Sequence, residues 1–477
     1  MNPPSRNSPA PEKIPIRSKL GWGAGGIADC LLSYGTTSLV MPIYNLGYGV
    51  SAFWLGVALC VPRLMDAFTD PIIGNYSDNL RTRWGRRRPL ILLGAISSAL
   101  IFPLIWLPPF HDKRLILGYF GVMMLLSTLA MTIFSIPYTA MGYEFTSDYD
   151  EKTNILSWRF YISILAGFLV QWLYALVLLP AFGGTEALGI RYVGPLIALI
   201  CLASAASPAL FCKERIRSKP QPKVRLSDGL RTATSNGPFV ILMAAYLILI
   251  TSQWTTGSLG LYINIFYVFE GNRAAAVGFS GIFGTTLIAA AIGSMALSNW
   301  ISRIAGKKTA ILIGLGLAFL GNLGFAFTIQ PHRPYLQLIN AVVIGLGLQG
   351  CWLMVSSMTA DICDASELRT GLREEGIYGA ACAFIYKIAM AGTAVTSGAI
   401  IKFAGYVEGV APGLDVTHRM KWLLISVQCI GLGGALLILL FYPLTRKKME
   451  SIQAELALKN EREAMGESQA GAATMTS

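Results

Sequence analysis

Apolar stretches long enough to cross a bilayer follow one another along almost the whole chain, and that repetition leaves it few ways to fold. A helix needs about 20 residues to cross a hydrocarbon layer about 30 Å thick. Twelve such stretches can be marked out: 18–46, 52–79, 89–109, 115–146, 153–180, 190–212, 238–269, 275–304, 308–330, 335–364, 374–406 and 419–444. Of the 477 residues, 54% are hydrophobic and 13% charged, whereas a soluble domain carries about 25% charged residues. An all-α membrane protein with twelve transmembrane helices is expected. The opening 1–13 is polar and proline-rich and lacks the apolar core of a secretory leader, so no cleavage is expected. The eight cysteines are scattered with no CxxC spacing, which suits packing residues better than disulfides or metal ligands.

Orientation follows from the basic residues. One set of helix ends holds Lys13, Arg17, Lys19, the loop 81–88, Lys152, the segment 213–231, Arg303, Lys307, Lys308, Arg369, Arg373 and Arg446 to Lys448. The opposite ends hold Lys113, Arg114, Arg191, Arg273, Arg333, Lys402, Arg419 and Lys421. The bias, roughly three to one, puts both termini and the central loop in the cytoplasm of a cell-membrane protein. It also accounts for the net charge of +12 without a nucleic acid. The longest polar interruption divides the chain into a tail 1–17, a six-helix half 18–212, a loop 213–237, a second half 238–445 and a tail 446–477. GNYSDNLRTRWGRRRP after the second stretch has a faint echo in GSMALSNWISRIAGKKT after the eighth. Two such halves imply the major facilitator fold, with a solute site between them near the midplane.

Asp66 and Asp70 stand one helical turn apart inside the second stretch, on the same face as Arg63. A charge at membrane depth costs about 2.5–3.5 kcal/mol on insertion scales. Two like charges on one face also repel, unless a proton or another cation lies between them. Hard cations take oxygen ligands, so the pair suits a coupling ion. Thr132 on the fourth stretch offers a further hydroxyl. A structural salt bridge from Arg63 or Lys387 is the competing reading.

DAFTDPIIGNYSDNLRTRWGRRRP, GWGAGGIAD, IPYTAMGYEFTSDYDEKTNILSWR and ADICDASELRTGLREEGIYGAACAFIYK together resemble the glycoside–pentoside–hexuronide:cation symporters. The resemblance touches both halves. It implies cation-coupled symport of a sugar, glycoside or hexuronide by alternating access, with Na+ or H+ as coupling ion. Thr132 matches a cation-ligand threonine of the family. Asp29 and Arg159 match an acid and an arginine that grip sugar hydroxyls, which suits bidentate hydrogen bonding. Trp352 matches the sugar-stacking aromatic, and Lys387 the lysine near the cation site. Three positions depart from the melibiose-transporting members: Thr69 replaces an asparagine, and Ser135 and Thr139 replace a sugar-binding aspartate and tryptophan. An α-galactoside held in the same way is therefore not expected.

Arg83 and Arg86 in the basic loop, the acids Asp148, Asp150 and Glu151, and the pair Arg373 and Glu374 flank the inner mouth. Each exposed ion pair contributes under about 1 kcal/mol, so several together would be needed to hold a gate. Plain anchoring at the inner face explains the same charges. An enzyme is not expected: the three histidines, His111, His332 and His418, fall in outer loops, and no nucleophile or metal cluster accompanies them. No phosphate-binding G-x-x-x-x-G-K-[ST] loop is present, which argues against a nucleotide-driven pump. The expected partners are a sugar-like solute, a coupling cation and the lipid bilayer, for a protein acting as a monomer. A carrier of a non-sugar or amphipathic lipid solute is the alternative.

Overall fold

The computed structural model describes residues 14–145, 149–212, 214, 234–370, 375–456 and 458–459. Twelve main helices run through them, joined by shorter helical pieces. They are α1 (Ile16–Cys30), α2 (Ala52–Asn79), α3 (Arg88–Ile105), α4 (Lys113–Glu144), α5 (Tyr149–Val177) and α6 (Glu186–Phe211). After the central loop follow α7 (Gly237–Thr255), α8 (Arg273–Ala305), α9 (Lys307–Thr328), α10 (Gln337–Thr370), α11 (Glu375–Phe403) and α12 (Leu414–Leu440). Eleven stretches of the described residues are long and apolar enough to cross a membrane, one of them Gly237–Val268, where α7 is followed by the short helix Gly257–Ile263 and the π-helical Asn264–Val268. The twelfth is α1, which continues through the π-helical turns Leu31–Gly35 and Met41–Gly47 and so is interrupted. Pro42 lies in the second of these turns. Proline has no N–H for the helical ladder, and π-bulges are one way a helix accommodates such a break.

Local signals set the helix starts. Asp112 accepts from the backbone N–H groups of Arg114 and Leu115 at the head of α4, and Thr185 from that of Leu188 on α6. Asn236 accepts from Phe239 N–H on α7. These are N-cap residues, whose side-chain oxygens satisfy donors that the first turn leaves over.

The chain forms two compact units. One comprises 1–221, 257–288 and 390–421, and the other 222–256, 289–389 and 422–477. In the first, α1 packs on α5 and α6, α3 on α4 and α6, and α2 on α4. It also takes in the segment 257–272 that follows α7, the first half of α8, the last part of α11 and the first turns of α12. There α2 and α11 meet backbone to backbone: a Cβ on Gly56 would lie 2.2 Å from the Ala394 carbonyl oxygen, and one on Gly398 2.2 Å from that of Ala52. The second unit is built on α9 against α10, with a core that includes Leu242, Ile311, Leu315, Met354 and Leu432. Its tail helix, 446–456, buries Met449, Ile452 and Leu456 in that core. Large side chains such as Phe68, Leu100, Phe327 and Ile430 are exposed, as lipid-facing positions require.

Candidate functional site

The second helix carries the acids expected to hold an ion. Thr132 Oγ1 on α4 lies 3.3 Å from Asp66 Oδ1 and 3.4 Å from Asp70 Oδ1, so one buried hydroxyl bridges both carboxylates. Helical spacing alone brings the two acids to one face, and the packing of α2 on α4 brings the threonine to them. Pro71 follows directly, inside the helix. Lacking an N–H, it cannot donate to the Ala67 carbonyl, which leaves one more oxygen of this turn outside the ladder. Thr69 takes no part, since its hydroxyl donates to Met65 O along its own helix at 3.2 Å. Three oxygen-bearing side chains thus converge, a donor set that suits a hard cation or a shared proton.

A second cluster sits on α1, α4 and α5. Arg159 Nη2 donates to Asp29 Oδ2 at 3.1 Å. The guanidinium carbon lies 5.0 Å from the ring centre of Tyr138 and 5.6 Å from that of Trp22, within cation–π range. Neither Trp22 nor Tyr138 stood out in the sequence as a site residue. Their one legible signal is that Trp22 is the single large side chain in the run Gly21 to Gly26. An acid and a guanidinium paired in this way offer acceptors and donors to neighbouring hydroxyls.

Trp352 and Lys387 belong to the second unit. Trp352 meets Tyr246 edge-on, with ring centres 5.5 Å apart, and packs against the core of that unit. Lys387 is half-buried on α11. The structure therefore brings together Asp66, Asp70 and Thr132, and separately Asp29 and Arg159, within the first unit.

The basic loop is tied down locally. Arg86 Nη2 donates to both oxygens of Glu144, at 2.6 and 2.7 Å. Arg87 Nη2 bridges Glu144 Oε1 at 2.7 Å and Asp78 Oδ1 at 3.0 Å. Glu214 accepts from the backbone N–H groups of Arg86, Arg87 and Arg88 at 2.7–2.8 Å, capping α3 from far along the chain. Arg83 is exposed. Arg373 and Glu374 lie outside the described residues. Among the described residues no group of three or more His, Cys, Asp or Glu is placed to hold a metal.

Known proteins resemble the chain over nearly its full length. It is 28% identical to the putative glycoside/cation symporter YagG of Escherichia coli K12, covering 98% of this chain and 99% of that protein. It is 23% identical to the sodium-dependent lysophosphatidylcholine symporter 1-B of Danio rerio, over 94% of this chain and 91% of the relative. The crystal structure of a D-xylose–proton symporter superimposes with a TM-score of 0.60 at 17% identity, over 90% of this chain and 98% of that one, a likeness of fold. The sequence pattern of MFS/sugar transport proteins matches residues 21–446. Eleven membrane-length helices among the described residues and a match of that extent place the chain in the MFS/sugar transport protein family, with the major facilitator fold.

Proposed function

We propose that the protein is a cation-coupled symporter of a sugar, glycoside or hexuronide, working as a monomer with both termini in the cytoplasm. The observation that carries this reading is the convergence of Asp66, Asp70 and Thr132, because oxygen ligands at membrane depth have little use except to bind an ion. Na+ or H+ bound there neutralises the two carboxylates and favours solute binding. Asp29 and Arg159 then exchange their mutual bond for solute hydroxyls, while Trp352 and Lys387 supply the aromatic face and the second cation from the C-terminal half. Rocking of the halves 18–212 and 238–445 carries both loads across. Arg83, Arg86, Arg373 and Glu374 take part in closing the cytoplasmic mouth.

The relative described as a glycoside/cation symporter supports a sugar-like solute. The lysophosphatidylcholine symporter at lower identity supports an amphipathic one, and is the rival. Uptake into proteoliposomes decides between them, using radiolabelled methyl β-D-xyloside, methyl β-D-glucoside, methyl β-D-glucuronide and lysophosphatidylcholine under imposed Na+ or H+ gradients. The expected result is gradient-driven uptake of one of the glycosides, lost in Asp66→Asn and Asp70→Asn. Uptake of the lipid alone, or full ion dependence in both variants, overturns the reading.

A further inference from the structure

The glycine run at the head of α1 serves a purpose that close helix packing alone does not explain. A Cβ at Gly25 would lie 2.5 Å from the Tyr138 ring, and one at Gly142 1.9 Å from the Trp22 ring. A Cβ at Gly26 would lie 2.5 Å from Ser163 Oγ and 3.4 Å from Arg159 Cγ. The space that these glycines leave is filled by two aromatic rings and the stem of one arginine. Both rings are fully buried. They lock each other, since Trp22 Nε1 donates to Tyr138 O and the Tyr138 hydroxyl donates to Trp22 O, each at 3.0 Å. Phe134 stacks on Tyr138, and Phe145 meets Trp22 edge-on. The aromatic pair is thus fixed from four sides.

We propose that Trp22 and Tyr138 are positioning residues, forming a rigid aromatic seat that holds the Arg159 guanidinium in place when a solute takes over its bond to Asp29. The inference rests on the reading of Arg159 as a solute-binding residue. An arginine on a flexible stem would follow its carboxylate or lose its orientation once the ion pair is broken. Seated against two rings, it presents the same donors before and after the exchange, so the solute meets a preorganised fork. The seat makes the acid the movable partner.

Two measurements test this. The first needs no solute: a cryo-EM structure of Asp29→Asn, in which the ion pair is weakened. The guanidinium is expected to keep its place over both rings, and to leave it in Asp29→Asn combined with Tyr138→Leu. A guanidinium that swings away in Asp29→Asn alone overturns the proposal.

The second is the KM for whichever methyl glycoside is taken up fastest. Tyr138→Leu and Trp22→Leu should each raise KM about tenfold, and Tyr138→Phe and Trp22→Phe, which keep a ring, by less than about threefold. In an Arg159→Lys background the leucine variants should add little. KM reports on the molecules that fold, so lower yield of the leucine variants does not confound it. Equal effects of leucine in both backgrounds overturn the seat and leave the solute role of Arg159 standing. An Arg159→Lys variant with unchanged KM overturns that role itself.

Discussion

One hydroxyl carries much of the candidate ion site. Thr132 is almost fully buried and within reach of both acids, so its loss would leave two carboxylates facing each other with one fewer dipole. A hydrogen bond to a charged group contributes about 1.5–3 kcal/mol. Thr132→Val, which keeps the shape, should therefore weaken ion activation of uptake by about ten- to a hundredfold, and Thr132→Ser should restore most of it. The half-saturating ion concentration in proteoliposomes measures this. A valine variant with unchanged activation would remove Thr132 from the site. Asp66 and Asp70 were legible from periodicity and cost alone. Thr132 was legible only with the family resemblance beside it, since nothing in its own sequence neighbourhood points to a helix 62 or 66 residues away. Trp22 and Tyr138 were not legible as site residues, because buried aromatics in apolar helices read first as packing.

Among the elements, α3 illustrates a start signal that no local pattern contains. Its N-cap, Arg87, has no side-chain cap, and Glu214 supplies the acceptor from beyond the end of α6. Gly85 makes the approach possible. It has φ +108°, and a Cβ there would lie 2.6 Å from the Glu214 carboxyl carbon. Gly85→Ala should cost about 1–3 kcal/mol from backbone strain alone. Glu214→Ala should cost about 1 kcal/mol or more, as loss of a cap does. Both should lower the melting temperature in detergent, and Glu214→Gln, which keeps an acceptor, should lower it less. An unchanged melting temperature in Gly85→Ala would show that the loop adapts without strain.

The same loop marks the limit of reading charges from sequence. Arg86 could be assigned to the inner mouth, but Glu144 and Asp78 as the partners of Arg86 and Arg87 emerge only when the ends of α2, α3 and α4 are brought together. The twelve elements themselves were plain from hydropathy, because the solvent imposes the helix. The interruption of α1 was not, since its π-helical turns leave the apolar run intact.

At the scale of the whole molecule, the first compact unit cuts across the sequence halves, and the reason lies on the face opposite the termini. Glu186, at the start of α6, accepts from Arg273 Nη1 at 2.7 Å and from the Tyr174 hydroxyl at 3.1 Å. The Tyr262 hydroxyl donates to Asn45, and Trp172 Nε1 donates to Thr285 Oγ1 at 3.0 Å. The Tyr174 bond lies within the first six helices, whereas each of the other three contacts joins the first six helices to the last six. In the proposed transport cycle, opening on this face would have to break these contacts. Glu186 is nearly buried whereas Arg273 is two-fifths exposed, so solvent screening reduces what their pair contributes.

About 1 kcal/mol is a fair allowance for the pair, which makes opening about fivefold easier once it is lost. Arg273→Ala should therefore raise the deuterium uptake rate of peptides across 257–272 and 404–413 by about that factor, because exchange follows the free energy of local opening. Arg273→Lys, which keeps the charge, should raise it less. Exchange on the termini face, across 81–88, should not change in either variant. If both faces quickened together, the pair would be stabilising the fold in general, and resistance to opening on this face would have to be sought in the glycine crossing of α2 and α11.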